Sequence, residues 1–239
     1  MQSSGPRTSR WEGLGPQTLT VALWLSAVIA CAPTGPKAGD FSEQQQVVEK
    51  AKMTFERFLA DPHARPWYRR EADNVKAVLI VPQLWRGAFI AGATGGSGVL
   101  LARDFVKGGW SPPAFYSVTS ASIGLQAGVD VSEAVFVIRT HAVLERFYGA
   151  GTMRSGLNAG VTVGPLGEGG ATGYDLMSFA WAKGVYAGMT FEGFGIAASP
   201  SDNRKYYGAP VEPEQILSNG SVTNPAADAL RVTVNRMIK

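Results

Sequence analysis

Strict alternation of aliphatic residues with small or polar ones, in three segments, constrains this chain more than any other feature of its sequence. The first segment alternates Ile123, Leu125, Ala127 and Val129 with Gly124, Gln126, Gly128 and Asp130. The same pattern recurs over residues 156–163 and 185–192. A period of two places the two sets of side chains on opposite faces of a β-strand. We therefore expect a sheet with one aliphatic face and one small or polar face.

Glycine is abundant, at 29 of 239 residues, well above the usual share of about 7%. Glycine weakens a strand and often marks a place where another backbone comes close. We therefore expect the small-residue face to be closely approached, either by a helix or by the opposite wall of a barrel.

Other segments complete the predicted fold. Further strands are predicted at residues 75–81, 87–93, 97–103, 115–120, 133–139 and 174–182. The first is an apolar run bounded by Pro82, which suits a fully buried strand. Helical spacing predicts an amphipathic helix over 42–60, with Ser42 as its N-cap and Asp61-Pro62 at its end. Short helices are predicted over 140–148 and 213–217, and a last helix is predicted after the Asn224-Pro225 cap. The prediction is an α+β domain over residues 41–239: an antiparallel β-sheet, closed or nearly closed as a barrel or sandwich, with an amphipathic N-terminal helix and short C-terminal helices.

The residues offer little material for catalysis. The glycine-rich stretch 91–98 lacks the Gly-Lys-Ser/Thr ending of a P-loop and is predicted to be a hairpin with a positive-φ turn. His141 and Glu145 lie four apart on a predicted helix, without a nearby third metal ligand. We expect no enzyme activity, no metal and no cofactor. A pocket that joined His141, Asp175 or Glu192 would favour a hydrolase instead.

The amino terminus resembles a bacterial lipoprotein signal. Arg7 and Arg10 precede an apolar stretch over 19–30, which is too short to span a bilayer comfortably. Val28-Ile29-Ala30-Cys31 then matches the lipobox pattern. We predict a signal peptide over 1–30, a lipidated tether over 31–40 that carries acyl chains such as palmitate on Cys31, and an outer-membrane location facing the periplasm. The alternatives are a plain signal peptide or a start codon other than Met1, with Cys31 incidental.

Basic and aromatic residues cluster after the first predicted helix. The cluster contains Arg65, Trp67, Tyr68, Arg69, Arg70 and Lys76. Aromatic rings together with the charged ends of lysine and arginine side chains suit a membrane interface. The alternative is a solvated surface with the tryptophan in the core. The formal net charge of +3 permits contact with anionic lipid but gives little support to nucleic-acid binding.

A series of motifs in this order resembles the SYLF domain family, roughly over residues 44–218. The motifs are Val78-Leu-Ile-Val-Pro82, Gly87-Ala-Phe-Ile-Ala-Gly92, Gly95-Gly-Ser-Gly-Val-Leu100, Trp110-Ser-Pro-Pro-Ala-Phe-Tyr116, Gly124-Leu-Gln-Ala-Gly128, Gly156-Leu-Asn-Ala-Gly160, Gly164-Pro-Leu-Gly167, Gly184-Val-Tyr-Ala-Gly-Met-Thr-Phe-Glu-Gly193 and Asn203-Arg-Lys-Tyr-Tyr-Gly208.

The resemblance implies binding of phosphoinositides or other anionic lipids, and an association with actin patches in eukaryotic relatives. In those relatives an amino-terminal amphipathic segment meets the membrane. The matching stretch here is 43–76, with Lys50, Lys52, Arg57, Arg69, Arg70 and Lys76 as the implied lipid-binding residues. An exported protein meets neither actin nor cytosolic phosphoinositides, so the ligand is open. A second hypothesis is a structural protein of the envelope that binds another protein.

Overall fold

Helices cover both faces of an open β-sheet in the computed structural model. The structure describes residues 38–88, 91–104, 108–123, 128–149, 151–154, 163–165, 174–182, 185–186 and 194–238. The strands are β1 Ala77–Ala88, β2 Ala91–Ala102, β3 Ala114–Ile123, β4 Gly128–Ile138, β5 Thr152–Arg154, β6 Val163–Pro165, β7 Leu176–Ala182, β8 Val185–Tyr186 and β9 Phe194–Ala198. The α-helices are α1 Ala38–Ala60, α2 Arg65–Glu71, α3 His141–Tyr148, α4 Pro200–Tyr207, α5 Pro213–Leu217 and α6 Asp228–Asn235. Short 3₁₀ turns span Ala72–Asn74, Pro225–Ala227 and Arg236–Ile238.

The described strands form one sheet in the order β5-β9-β3-β2-β1-β4-β7-β6, with β8 paired to β7. All pairs are antiparallel except β6 with β7. The predicted α+β class and antiparallel sheet are confirmed. The predicted closure as a barrel is not found, because the end strands β5 and β6 do not pair with each other within the described residues. Alternation assigns side chains to faces but does not decide whether the two edges of a sheet meet.

Each face of the sheet carries its own apolar core. On the first face Val78, Ile80 and Val99 pack with α1, α2 and α6. On the second face Leu79, Val81 and Leu100 pack with α3 and α5. The predicted burial of the apolar run is therefore confirmed for Val75 and for residues 77–81, whereas Lys76 is half-buried. The expectation of one aliphatic and one small or polar face concerns the three alternating segments, most of which lie outside the described residues, and it stays a prediction.

The prediction that Pro82 ends a strand is wrong. Strand β1 continues to Ala88 and carries one extra residue beside Pro82. Ile80 pairs with Val99 of β2 and Gln83 pairs with Ser97, so three steps along β1 correspond to two steps along β2. The pairing of β1 with β4 shows the same shift. A bulge is where a central strand tolerates proline, which has no N–H for the sheet. The predicted separate strands 87–93 and 97–103 are instead parts of β1 and β2.

Two glycines make room for this bulge. A Cβ on Gly98 would lie 2.5 Å from the carbonyl oxygen of Ile80, and one on Gly96 would overlap the carbonyl oxygen of Gln83. The prediction of a positive-φ turn over 91–98 is therefore wrong, because all of these residues belong to β2. Glycine here allows the close approach of a neighbouring backbone.

The helices were predicted more accurately than the strands. The predicted 42–60 helix is α1, which begins four residues earlier, so Ser42 lies inside it and is not its N-cap. The predicted helices at 140–148 and 213–217 correspond to α3 and α5. The side chain of Asn224 accepts a hydrogen bond from the Ala226 N–H, as a cap does. Helices α2 and α4 were not predicted.

The first alternating segment is not one strand, because it contains the end of β3 and the start of β4. Most of the second and third segments lie outside the described residues. The domain boundaries at residues 31 and 41 stay predictions.

Candidate functional site

Asp61 connects α1 to α2 and holds the start of α2 in place. Its Oδ1 accepts hydrogen bonds from the backbone N–H groups of His63, at 2.7 Å, and Ala64, at 3.2 Å. Its Oδ2 accepts a hydrogen bond of 2.8 Å from the Trp181 indole N–H. Burial by itself would raise the pKa of Asp61, but these hydrogen bonds outweigh it and hold the pKa below its usual value.

The end of α2 is fixed by a buried ion pair. Arg139 Nη2 lies 2.9 Å from Glu71 Oε2, and the two side chains are only 13% and 10% exposed. Arg139 also donates to the Tyr174 carbonyl, and Arg103 donates to the Ala72 carbonyl at 2.9 Å. Trp67 and Tyr68 of α2 are buried in the first core. The helix is thus held at both ends and along one side.

The outer side of α2 is basic. Arg65, Arg69 and Arg70 are exposed on this short helix. Arg70 lies 3.6 Å from Glu71, whereas Arg69 has no ion-pair partner among the described residues. Arg65 and Arg69 are four apart and therefore share a side of the helix. This surface presents guanidinium groups to solvent.

A cleft separates α2 from the 3₁₀ turn Arg236–Ile238. It has a volume of about 410 Å³ and is lined by Tyr68, Arg69, Ala72, Asp73, Arg236, Met237 and Ile238. We call it the arginine cleft. Arg69 and Arg236 bring two cations to it, and the Arg236 side chain is 53% exposed. A guanidinium group presents paired N–H donors in a geometry that matches phosphate. Two carboxylates offset part of this charge, because the exposed Asp73 lines the cleft and Glu56 lies 3.5 Å from Arg236.

Of the six lipid-binding residues suggested by the sequence, Arg69 lies in the arginine cleft and Arg70 lies beside it on α2. The three cations of α1 have other neighbours: Lys50 donates to Gln83 at 3.0 Å, Lys52 pairs with Glu56 at 3.0 Å, and Arg57 pairs with Glu133 at 2.6 Å. Lys50 therefore points toward β1 and Arg57 toward β4. Lys52 lies beside Glu56, which also contacts Arg236.

Lys76 lies between the 3₁₀ turn Ala72–Asn74 and β1, is half-buried, and is absent from the cleft lining. Arg236 was missed because it lies near the opposite end of the chain and only the fold brings it to Arg69. Cys31 lies outside the described residues.

The structure describes three of the four residues considered for catalysis. His141 and Glu145 are both exposed on α3, and Asp175 precedes β7. Glu192 lies outside the described residues. No cluster of three or more potential metal ligands occurs in the described part of the chain.

None of the helices described is both long enough and apolar enough to cross a membrane.

Two of the motifs that carry the family resemblance build the fold around the start of β3. Ser111 Oγ accepts from the Ala102 N–H at 3.0 Å and donates to the Pro112 carbonyl at 2.8 Å. Asn203 Oδ1 accepts from the Phe115 N–H at 2.8 Å, and the Tyr207 hydroxyl donates to the Pro113 carbonyl at 2.7 Å. These residues attach α4 to the sheet, and none of them lines the arginine cleft.

An open, mostly antiparallel sheet between helices defines this part of the chain as an α+β domain, with a cleft at its surface that two arginines line. The family model described as "Ysc84: Las17-binding protein actin regulator" matches residues 119–237. The chain belongs to this family, the SYLF domain family, so the resemblance predicted from the sequence is confirmed.

Curated relatives agree with this assignment. Protein YSC84 of Saccharomyces cerevisiae is 31% identical over 181 residues, which cover 72% of this chain and 38% of the relative. LAS seventeen-binding protein 3 of the same species is 30% identical over 183 residues, with the same two coverages. SH3 domain-containing YSC84-like protein 1 of Bos taurus is 30% identical over 154 residues, or 62% of this chain and 45% of the relative. The matches thus span less than half the length of these relatives.

Proposed function

We propose that this protein binds anionic phospholipid headgroups through the arginine cleft, without catalysing a reaction, at an envelope membrane. The observation that carries the proposal is the meeting of Arg69 and Arg236 in one cleft beside the exposed arginines of α2. Phosphodiester groups suit this site because guanidinium groups bind phosphate oxygens in pairs. The phosphoinositide-like headgroups implied by the family resemblance carry additional phosphates and would bind there more strongly.

Electrostatics supplies the expected binding energy. A cationic residue close to an anionic membrane contributes about 1 kcal/mol, and the attraction falls off within a Debye length of about 10 Å at 0.1 M salt. The α1 cations contribute less in this proposal, since Lys50, Lys52 and Arg57 do not line the cleft.

Vesicle co-sedimentation tests the cleft. The probe is the proposed mature chain, residues 31–239, with Cys31→Ser. It lacks both the apolar stretch 19–30 and the proposed anchor, and it is mixed at low salt with neutral phosphatidylcholine vesicles or with vesicles containing phosphatidylglycerol. We expect binding only to the anionic vesicles. Arg69→Gln combined with Arg236→Gln should weaken it by about 2 kcal/mol, or roughly 30-fold.

The matched control removes two charges elsewhere. Arg204 and Lys205 lie near the end of α4 and are absent from the cleft lining. Arg204→Gln with Lys205→Gln changes the net charge equally and should leave most of the binding intact. Equal binding to neutral and anionic vesicles, or equal losses in the two double variants, would disprove the role of the cleft.

We further propose that Cys31 anchors the protein in the envelope, most simply in the outer membrane with the domain facing the periplasm. The lipobox-like Val28-Ile29-Ala30-Cys31 supports this proposal. Metabolic labelling with a palmitate analogue should mark the wild-type chain and not Cys31→Ser, which should move from the membrane fraction to the soluble one. An unlabelled wild type, together with a Cys31→Ser chain that stays in the membrane fraction, contradicts the anchor.

A protein partner is the second candidate function. The names of the family model and of one yeast relative, LAS seventeen-binding protein 3, refer to binding of Las17. An envelope protein retained by the immobilised chain, in the absence of affinity for any vesicle, would favour this alternative over lipid binding.

A further inference from the structure

The loop after α5 contains the only Asn-Gly sequence of the chain, Asn219-Gly220. An asparagine side chain that precedes glycine is open to attack by the next backbone nitrogen, because glycine has no Cβ to hinder the approach. Both residues are exposed and line a cleft of about 210 Å³, together with Asp104 and Arg231 among others. Water therefore reaches the groups that would react.

No hydrogen bond holds these groups in place. The Asn219 side chain and the Gly220 backbone N–H bond to none of the residues that the structure describes. Gly220 has a φ of +56°, and a Cβ at this position would meet no atom within 4 Å. The peptide group between the two residues thus borders open space and can turn toward the Asn219 side chain without losing a hydrogen bond.

Asn224, five residues later, lacks this combination. Its Oδ1 accepts a hydrogen bond of 3.0 Å from the Ala226 N–H, and its Nδ2 donates to the Tyr206 carbonyl at 3.1 Å. The next residue is Pro225, which has no N–H and cannot supply an attacking nitrogen. Asn224 is therefore an internal control for the chemistry of Asn219.

We propose that Asn219 deamidates spontaneously in the folded protein, and that its isoaspartyl product weakens the attachment of the following loop to α5. The Gly220 nitrogen loses its proton to solvent base and forms a bond to Asn219 Cγ. The bond from Cγ to the side-chain nitrogen breaks, and this nitrogen takes up a proton and leaves as ammonia. Water then opens the succinimide ring: opening at the side-chain carbonyl gives aspartate, and opening at the backbone carbonyl gives isoaspartate.

Ser221 links this chemistry to α5. Its N–H and its hydroxyl both donate to the Gln215 carbonyl, at 3.1 and 3.0 Å. In isoaspartate the backbone runs through the former side chain and gains an extra carbon atom just before Gly220, so Ser221 is displaced from this carbonyl. Helix α5 buries Ile216 and Leu217 in the second core. Formation of isoaspartate should therefore lower the stability of the domain.

Incubation in a mildly alkaline buffer tests the reaction, because the attacking nitrogen must lose its proton. The sample is the Cys31→Ser chain of the vesicle assay, residues 31–239, which is digested with trypsin and analysed by tandem mass spectrometry. Cleavage after Lys205 and Arg231 yields a peptide, 206–231, that contains both Asn219 and Asn224. We expect the mass gain of deamidation at Asn219, with isoaspartate among the products, and no gain at Asn224.

Urea denaturation before and after incubation measures the consequence for α5. The midpoint of the incubated chain should fall as the isoaspartyl fraction rises. Asn219→Gln should lose the mass gain and keep its midpoint, because glutamine would have to form a larger ring. Freshly prepared Asn219→Asp, which adds the charge without the extra backbone atom, should keep the midpoint of the fresh parent chain. Deamidation only in chains unfolded by urea, or an unchanged midpoint after conversion to isoaspartate, overturns the proposal.

Discussion

Replacement of Arg139 by methionine is expected to lower the free energy of unfolding by about 3–5 kcal/mol, because it leaves the buried Glu71 carboxylate without its main partner. The 2.9 Å contact joins two side chains that are almost entirely removed from solvent. Urea denaturation monitored by circular dichroism measures the loss. It should appear as a lower midpoint with an unchanged slope.

The matched control is the same substitution in an exposed pair. Arg57 lies 2.6 Å from Glu133, but these side chains are 45% and 26% exposed. Arg57→Met should therefore cost less than about 1 kcal/mol. Arg139→Met combined with Glu71→Leu should recover much of the loss, because no unpaired charge then remains. If the two arginine variants lose equal stability, the buried pair does not hold α2 in place.

Gly98→Ala is expected to destabilise the chain by about 2–3 kcal/mol, since the added methyl group would lie 2.5 Å from the Ile80 carbonyl oxygen and 2.9 Å from a methyl carbon of Val81. Neither strand can move away easily, because β1 and β2 each pair with a neighbour on both sides. The same urea titration measures the effect.

Gly95 provides the control for this prediction. It lies three residues earlier on the same strand, and a Cβ there would approach nothing closer than 4.0 Å. Gly95→Ala should change stability by less than about 1 kcal/mol, with a gain possible through the lower entropy of the unfolded chain. Similar losses in the two variants would show that the bulge at Pro82 does not require glycine opposite it.

Local patterns predicted the parts of the fold that depend on neighbouring residues. The apolar stripe of α1 follows from helical spacing, and the burial of residues 77–81 on both faces follows from their consecutive apolar side chains. The cap at Asn224 follows from its side-chain chemistry and the proline after it. Each of these signals lies within a few residues.

Features that depend on distant residues were not predictable in the same way. Pro82 reads as the end of a strand, and the glycines that accommodate it stand more than a dozen positions later, so neither alone indicates a bulge. Helix α2 is short and contains Pro66, and its stability comes from Asp61, Glu71 and Arg139. The arginine cleft joins α2 to the last turn of the chain, which only the three-dimensional structure brings together.

The extra residue in β1 also determines how the sheet can assemble. Two paired strands with period-two patterns can shift against each other by one or two residues and still form backbone hydrogen bonds. A shift of one residue moves every side chain of the shifted strand to the opposite face of the sheet. Here the inserted residue favours one alignment, because Gly98 and Gly96 lie where a Cβ would meet the backbone of β1. A slip of one residue in either direction would place Ser97, which has a Cβ, at one of these two positions. The distortion beside Pro82 thus favours the observed pairing of β1 with β2 over pairings shifted by one residue.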